Sequence, residues 1–148
     1  MNVDAALAKV SRLAIDTAPI IYFVEQHPRY DAVVTDIFRR IDKGRLEAVT
    51  SVITLTEVLV HPVRLGRTDL HRQYSVLLNN SRHFILFDID AAIAEQAAIL
   101  RAQHNLRTPD ALQIAVALTA GCEAFLTNDK RLRSIPYLQI ILLDDIAT

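Results

Sequence analysis

Leu13-Ala14-Ile15-Asp16-Thr17-Ala18-Pro19 is the stretch on which the fold turns. The short apolar run reads as a buried strand, and it stops at an acid. Pro19 then suits the first turn of a helix, because its φ is already helical and it has no N–H to lose. A buried strand handed directly to a helix across a carboxylate is half of a strand–helix–strand unit.

The same alternation continues along the chain. Val33, Val34, Ile37, Phe38 and Ile41 recur at helical spacing, with Gly44 placed to close that helix. Leu46 to Thr50 is short and suited to a strand. Val52 to Val60 makes the next helix, carrying Glu57, and Pro62 is expected to limit its extension. Leu70, Tyr74, Leu77 and Leu78 mark another amphipathic helix, Phe84 to Phe87 a strand, and Asp90 to Gln103 an Ala-rich helix. Thr108-Pro109-Asp110 reads as a helix start, with a hydroxyl at the cap, proline first and an acid second. The helix it opens runs to about Gly121 and is apolar nearly all round, so it should be deeply packed. Ala124 to Thr127 and Ile140 to Leu143 are further strands. Strands separated by helices imply crossovers, hence an α/β fold with a mainly parallel central sheet covered on both faces. Sites in such sheets form beyond the carboxyl ends of the strands, where the strand order switches.

The chain has 148 residues, 51% hydrophobic and 22% charged, which fits one globular domain. Residues 1–11 read as an N-terminal extension with a short helix. Cys122 is the single cysteine, so no internal disulfide can form and a reducing cytoplasm is the expected compartment. The longest run without Asp, Glu, Lys or Arg, Ala111 to Cys122, is too short to span a bilayer, and Met1 to Ala6 lacks a signal-peptide layout. Only Gly44, Gly66 and Gly121 occur, which excludes both the G-x-G-x-x-G dinucleotide fingerprint and the P-loop.

Asp16 follows one strand and Asp129 another. If those strands are neighbours, about 4.8 Å apart, the two carboxylates share a crevice. Asp110, in the first turn of a helix, and Glu57, on an earlier one, can reach the same place. Two carboxylates about 4 Å apart repel by roughly 4 kcal/mol at an effective dielectric of 20. Four together need a cation or raised pKa values. Oxygen ligands without His or Cys favour Mg²⁺ or Mn²⁺. Each acid also has a plainer role available: Asp110 against the helix dipole, Asp129 in a turn, Glu57 on a solvated face. Asp16 is the hardest to explain so, because it ends an apolar run where an unused charge is costly.

Four segments, in order, resemble the successive motifs of PIN-domain ribonucleases: Leu13 to Thr17, Thr54 to Leu59, Arg107 to Ala115 and Phe125 to Leu132. The resemblance spans about Leu13 to Leu143, and within the family the layout is most similar to VapC-type toxins of toxin–antitoxin pairs. It implies a three-layer α/β/α sandwich and magnesium- or manganese-dependent cleavage of RNA. It carries metal-ligand or water-orienting roles onto Asp16, Asp110, Glu57 and Asp129, with Asp16 and Asp110 the expected direct ligands. Thr127 would help position water or ligand. It further implies a homodimer and a cognate antitoxin covering the groove. Two departures stand out. Ala18 occupies a position where the family often carries Asn or Ser, and about ten extra residues precede the usual start.

Net charge is −1, from 16 Lys+Arg and 17 Asp+Glu, which is unusual for a nucleic-acid binder. Without the four site acids it becomes +3, and the cations are mostly Arg, suited to bidentate phosphate contact. Arg107, Lys130 and Arg131 are the expected phosphate contacts. Arg39, Arg40, Lys43 and Arg45 read instead as a solvated helix face. Ile20, Ile21, Phe23 and Val58 to Val60 are candidates for an association surface, with core packing the commoner fate. The histidines show no paired metal spacing, and Cys122 reads as an inert buried thiol. The alternative to a nuclease is a catalytically inactive PIN-like module that binds RNA or protein.

Overall fold

In the computed structural model, which describes residues 1–147, Leu13 and Ile15 of strand β1 (Arg12–Ile15) join one buried cluster and Ala14 joins another. The two-residue period of a strand sends alternate side chains to opposite faces. Strand β2 (Glu47–Ser51) divides likewise, Ala48 to the first cluster and Val49 to the second. With β3 (Phe84–Phe87), β4 (Ala124–Thr127) and β5 (Gln139–Leu142), the strands form one sheet ordered β3-β2-β1-β4-β5. Every pairing is parallel.

Helices cover both faces, as expected of a sheet that is apolar on each side. Helices α1 (Val3–Leu7), α2 (Thr17–Val24), α3 (Asp31–Asp42), α4 (Val52–Leu65), α5 (Thr68–Asn80) and the short α8 (Leu143–Ile146) contribute to the first core. On the other side lie α6 (Ala91–His104), α7 (Thr108–Thr119) and a 3-10 turn over Lys130–Ser134. The chain is therefore a three-layer α/β/α sandwich. Helix α7 is the inner element of the second core: Ala111, Ile114, Ala115, Val116 and Ala117 are all buried. Burying Ile114 alone is worth about 1.5–3 kcal/mol. Gly44, just past α3, adopts φ +73°, the left-handed value that ends a helix readily only with glycine. Among the described residues no helix is long and apolar enough to cross a membrane.

Three details differ from the sequence reading. Pro62 does not limit α4, which continues to Leu65 and closes on Gly66 at φ +63°. The buried Pro62 ring packs in the helix interior, and the further turn ends where glycine supplies the left-handed residue. Thr108 does not cap α7. The helix begins one residue earlier in register, with Arg107 at the cap position, and the Thr108 hydroxyl instead accepts from Arg101 Nη1 at 2.9 Å. Ile20 and Val58 are core residues rather than surface ones, at 0% and 2% exposure, whereas Val60, on the outer face of α4, is exposed.

Candidate functional site

The strand order reverses between β1 and β4, so the chain leaves the sheet in opposite directions there and a crevice opens at their carboxyl ends. Asp16 stands at that point. Its backbone N–H donates to the Leu126 carbonyl at 2.9 Å, continuing the β1–β4 ladder by one step. That bond sets Asp16 beside Thr127, the last residue of β4.

Asp16 also caps α2. Its Oδ1 accepts from the Thr17 N–H at 2.8 Å, and its Oδ2 accepts from the Thr127 hydroxyl at 2.7 Å. Among the described residues no basic side chain bonds to it. Burial pushes its pKa up from the usual carboxylate value, the Thr127 and Thr17 bonds pull it back, and the charges of Asp110 and Glu57 raise it again. Asp16 therefore feels the charges of both other carboxylates across the crevice.

The fourth acid is turned toward a cation. Asp129 accepts from Arg131 at both oxygens, 3.0 Å at Oδ1 and 2.6 Å at Oδ2, and this pairing lowers its pKa. Its own N–H donates to the Thr127 hydroxyl at 3.1 Å, so Thr127 links Asp129 to Asp16. Asp110 pairs with Arg107 at 3.1 Å and lies 3.9 Å from Arg131. Lys130, beside Asp129, is exposed and borders the same groove as Asp16, Tyr22, Thr127 and Asp129.

Glu57 is held by a chain of hydrogen bonds with one direction. The Ser51 hydroxyl donates to Gln113 Oε1, and Gln113 Nε2 donates to the Thr54 hydroxyl at 2.7 Å. Thr17 Oγ1 gives its single proton to Glu57 Oε1 at 2.7 Å, so Thr54, 3.0 Å away, must donate to Thr17. Every donor points toward the carboxylate. Ser51 also caps α4, accepting from the Ile53 N–H at 3.2 Å, so the chain is anchored where β2 becomes α4.

The family model of the PIN domain matches residues 13–137. The chain belongs to the PIN-domain family.

Solved structures agree at the level of fold. This PIN domain superposes on a structure described as VapBC2 from Rickettsia felis bound to a promoter DNA fragment, with TM-score 0.70 and 16% identity, covering 88% of this chain and 98% of that one. A toxin–antitoxin complex from Klebsiella pneumoniae gives TM-score 0.68 and 21% identity, covering 88% and 97%. VapC20 of Mycobacterium tuberculosis, described as a toxin that cleaves the sarcin-ricin loop, gives TM-score 0.69 and 14% identity, covering 86% and 97%. The search of curated proteins found no match to this chain.

The donor set of the PIN domain suits a hard cation. The groove side chains around Asp16 offer carboxylate, hydroxyl and amide oxygen, with no His or Cys among them. Among the described residues, no basic side chain bonds to Asp16. As they lie, no three acid, His or Cys side chains among the described residues converge closely enough to form a ready cage. The pairings of Asp110 and Asp129 with Arg107 and Arg131 hold those two acids toward guanidinium groups. Sequence reading missed Ser51, Thr54, Thr17 and Gln113 as partners of Glu57. The available signal was polar Gln113 on an otherwise apolar helix face, three residues after Asp110. The cluster Arg39, Arg40, Lys43 and Arg45 stands at the opposite end of the sheet, before β2 begins, and Arg40 there pairs with Asp36 and Asp4.

Proposed function

We propose that this PIN domain is a metal-dependent endoribonuclease and the toxin of a toxin–antitoxin pair. The observation that carries the reading is Asp16, a half-buried carboxylate at the strand-order switch, bonded only to neutral donors and repelled by Asp110 and Glu57. Such a site is short of one positive charge. Asp16 and Asp110 would hold Mg²⁺ or Mn²⁺, with Glu57 and Asp129 completing the shell or orienting water. When bound, the ion would lower the pKa of a water and neutralise charge on the attacked phosphate.

The chain's own groups do the rest. Thr127 keeps Asp16 aimed into the crevice and ties it to Asp129. The Ser51–Gln113–Thr54–Thr17 chain fixes one Glu57 oxygen, leaving the other free to accept a proton from water. Arg107, Lys130 and Arg131 border the acids and would take the phosphates of an RNA strand, Arg in bidentate fashion. Membership of the family and the toxin–antitoxin names of the similar structures support the antitoxin partner. Exposed Val60, Val63 and Leu65 on α4 and Val76 on α5 support an association surface, and we assign it to a homodimer. Cytoplasmic residence, with its RNA and its reducing conditions, is part of the same proposal.

Purified protein incubated with single-stranded RNA and Mg²⁺ or Mn²⁺ should cleave it, chelator should stop cleavage, and Asp16→Asn should abolish it. Full activity in Asp16→Asn would overturn the assignment. RNA binding without cleavage by the wild type would favour the inactive-module alternative.

A further inference from the structure

Resting on the nuclease reading, we infer that Tyr22 is a stacking platform for one unpaired nucleobase of the RNA, next to the phosphate that the acids engage.

Tyr22 lies on α2, the helix that Asp16 caps, six residues on and so roughly 9 Å along its axis. It borders the groove that also holds Asp16, Thr127, Asp129, Lys130 and Arg131. The ring is not a loose surface aromatic. It stacks on Tyr30 with centroids 4.7 Å apart and planes 17° from parallel. His27 tilts against both rings, at 4.7 and 4.9 Å. The Arg29 guanidinium stands 5.3 Å from the centre of the Tyr30 ring.

Tyr30 is fixed in turn to the catalytic end of the sheet. Its hydroxyl donates to Asp144 and accepts from Asn128 Nδ2 at 3.1 Å. Asn128 sits between Thr127 and Asp129, both bound into the acid network. Hydrogen bonds and the Thr127–Asn128–Asp129 backbone thus connect the aromatic pair to Asp16 and Asp129. Tyr30 is buried beneath and Tyr22 is half-exposed at the groove, so only Tyr22 is available to a ligand. An aromatic face beside Lys130 and Arg131 suits a single strand, whose backbone meets the cations while a base lies on the ring. Unpaired bases are the part of RNA that aromatic side chains read.

The test uses the full chain carrying Asp16→Asn, so that RNA stays intact, and a single-stranded octaribonucleotide with one 2-aminopurine moved through its positions. Fluorescence should be quenched at one position, and Tyr22→Leu should abolish that quench while Tyr22→Phe keeps it. An abasic nucleotide at the same position should weaken binding by about tenfold, a typical loss for one stacked base, and this arm needs no change in Tyr22. Absence of position-specific quenching, or an abasic site that binds as well as the intact strand, would overturn the platform and leave the groove to a protein segment. Separately, cleavage by the otherwise wild-type protein reports on the nuclease reading: cleavage with no quench sinks only the platform, and quench with no cleavage sinks only the nuclease.

Discussion

The Thr127 hydroxyl donates to Asp16 Oδ2 at 2.7 Å while accepting the Asp129 N–H at 3.1 Å, so one buried oxygen couples two acids that lie 113 residues apart in sequence. Thr127→Val keeps the shape and removes both bonds. Each orphaned group costs about 1–3 kcal/mol. With two groups orphaned, urea denaturation should show a loss of about 2–6 kcal/mol, and Thr127→Ser should recover most of it. Asp16, deprived of a donor that lowers its pKa, would be pushed further up. A Thr127→Val protein as stable as the wild type would mean that the coupling carries no weight.

The pH dependence of stability follows from Asp16. Its folded-state pKa stands above 3.8, chiefly through burial. The native state then binds a proton more tightly than the unfolded chain, so this group favours folding when protonated. Its contribution falls as pH rises from 3.8 through the raised value, and the penalty is complete above it. Asp16→Asn should raise the melting temperature at pH 7 in chelator, with the gain shrinking as the pH is lowered through that window. Mg²⁺ should reverse the order. At a hundredfold excess over Kd, binding adds about 2.7 kcal/mol to the wild type, and Asp16→Asn should gain little. Equal melting temperatures for both proteins, with and without Mg²⁺, would dispose of this account.

Gln113 is buried at 5% exposure and is the only amide in the chain of bonds that ends on Glu57. Gln113→Leu fills the volume but leaves the Ser51 and Thr54 hydroxyls without their partner, an expected loss of about 1–3 kcal/mol for each unsatisfied group. Gln113→Glu can still accept from Ser51 but cannot donate to Thr54, and it buries a negative charge. It should be the more damaging change above its pKa. Denaturation midpoints at neutral and acidic pH separate the two, because only the Glu variant should recover on acidification.

Much of this architecture was legible in the amino-acid order, because it depends on local periodicity. The five strands fall on short apolar runs, and two of the acids, Asp16 and Asp129, fall just past the ends of two of them. Pro62 and Thr108 misled for a physical reason: tertiary packing can carry a helix past a proline, and a cap is decided by which neighbour the hydroxyl meets, here Arg101. The Glu57 chain was not legible at all. Its partners lie 62, 59 and 37 residues apart, and no local rule connects them. Cys122 was legible as inert: burial pushes its thiol up to about 12, so almost no thiolate exists at neutral pH.

On the proposed nuclease reading, Arg131 would change role when an ion enters the site. It now grips both oxygens of Asp129 and stands 3.9 Å from Asp110, so it occupies the side from which a cation would approach those acids. An ion drawing on Asp129 must compete with that guanidinium. Arg131→Met should therefore tighten Mg²⁺ binding in isothermal titration and let the Asp129 pKa rise back toward the ordinary range. If Arg131 takes an RNA phosphate as proposed, the same change should weaken RNA binding and lower its salt slope by about one ion. Opposite signs in the two measurements are the signature of a side chain that serves the substrate at the expense of the metal. Weaker binding of both would instead make Arg131 an orienting partner that Asp129 needs in order to ligate.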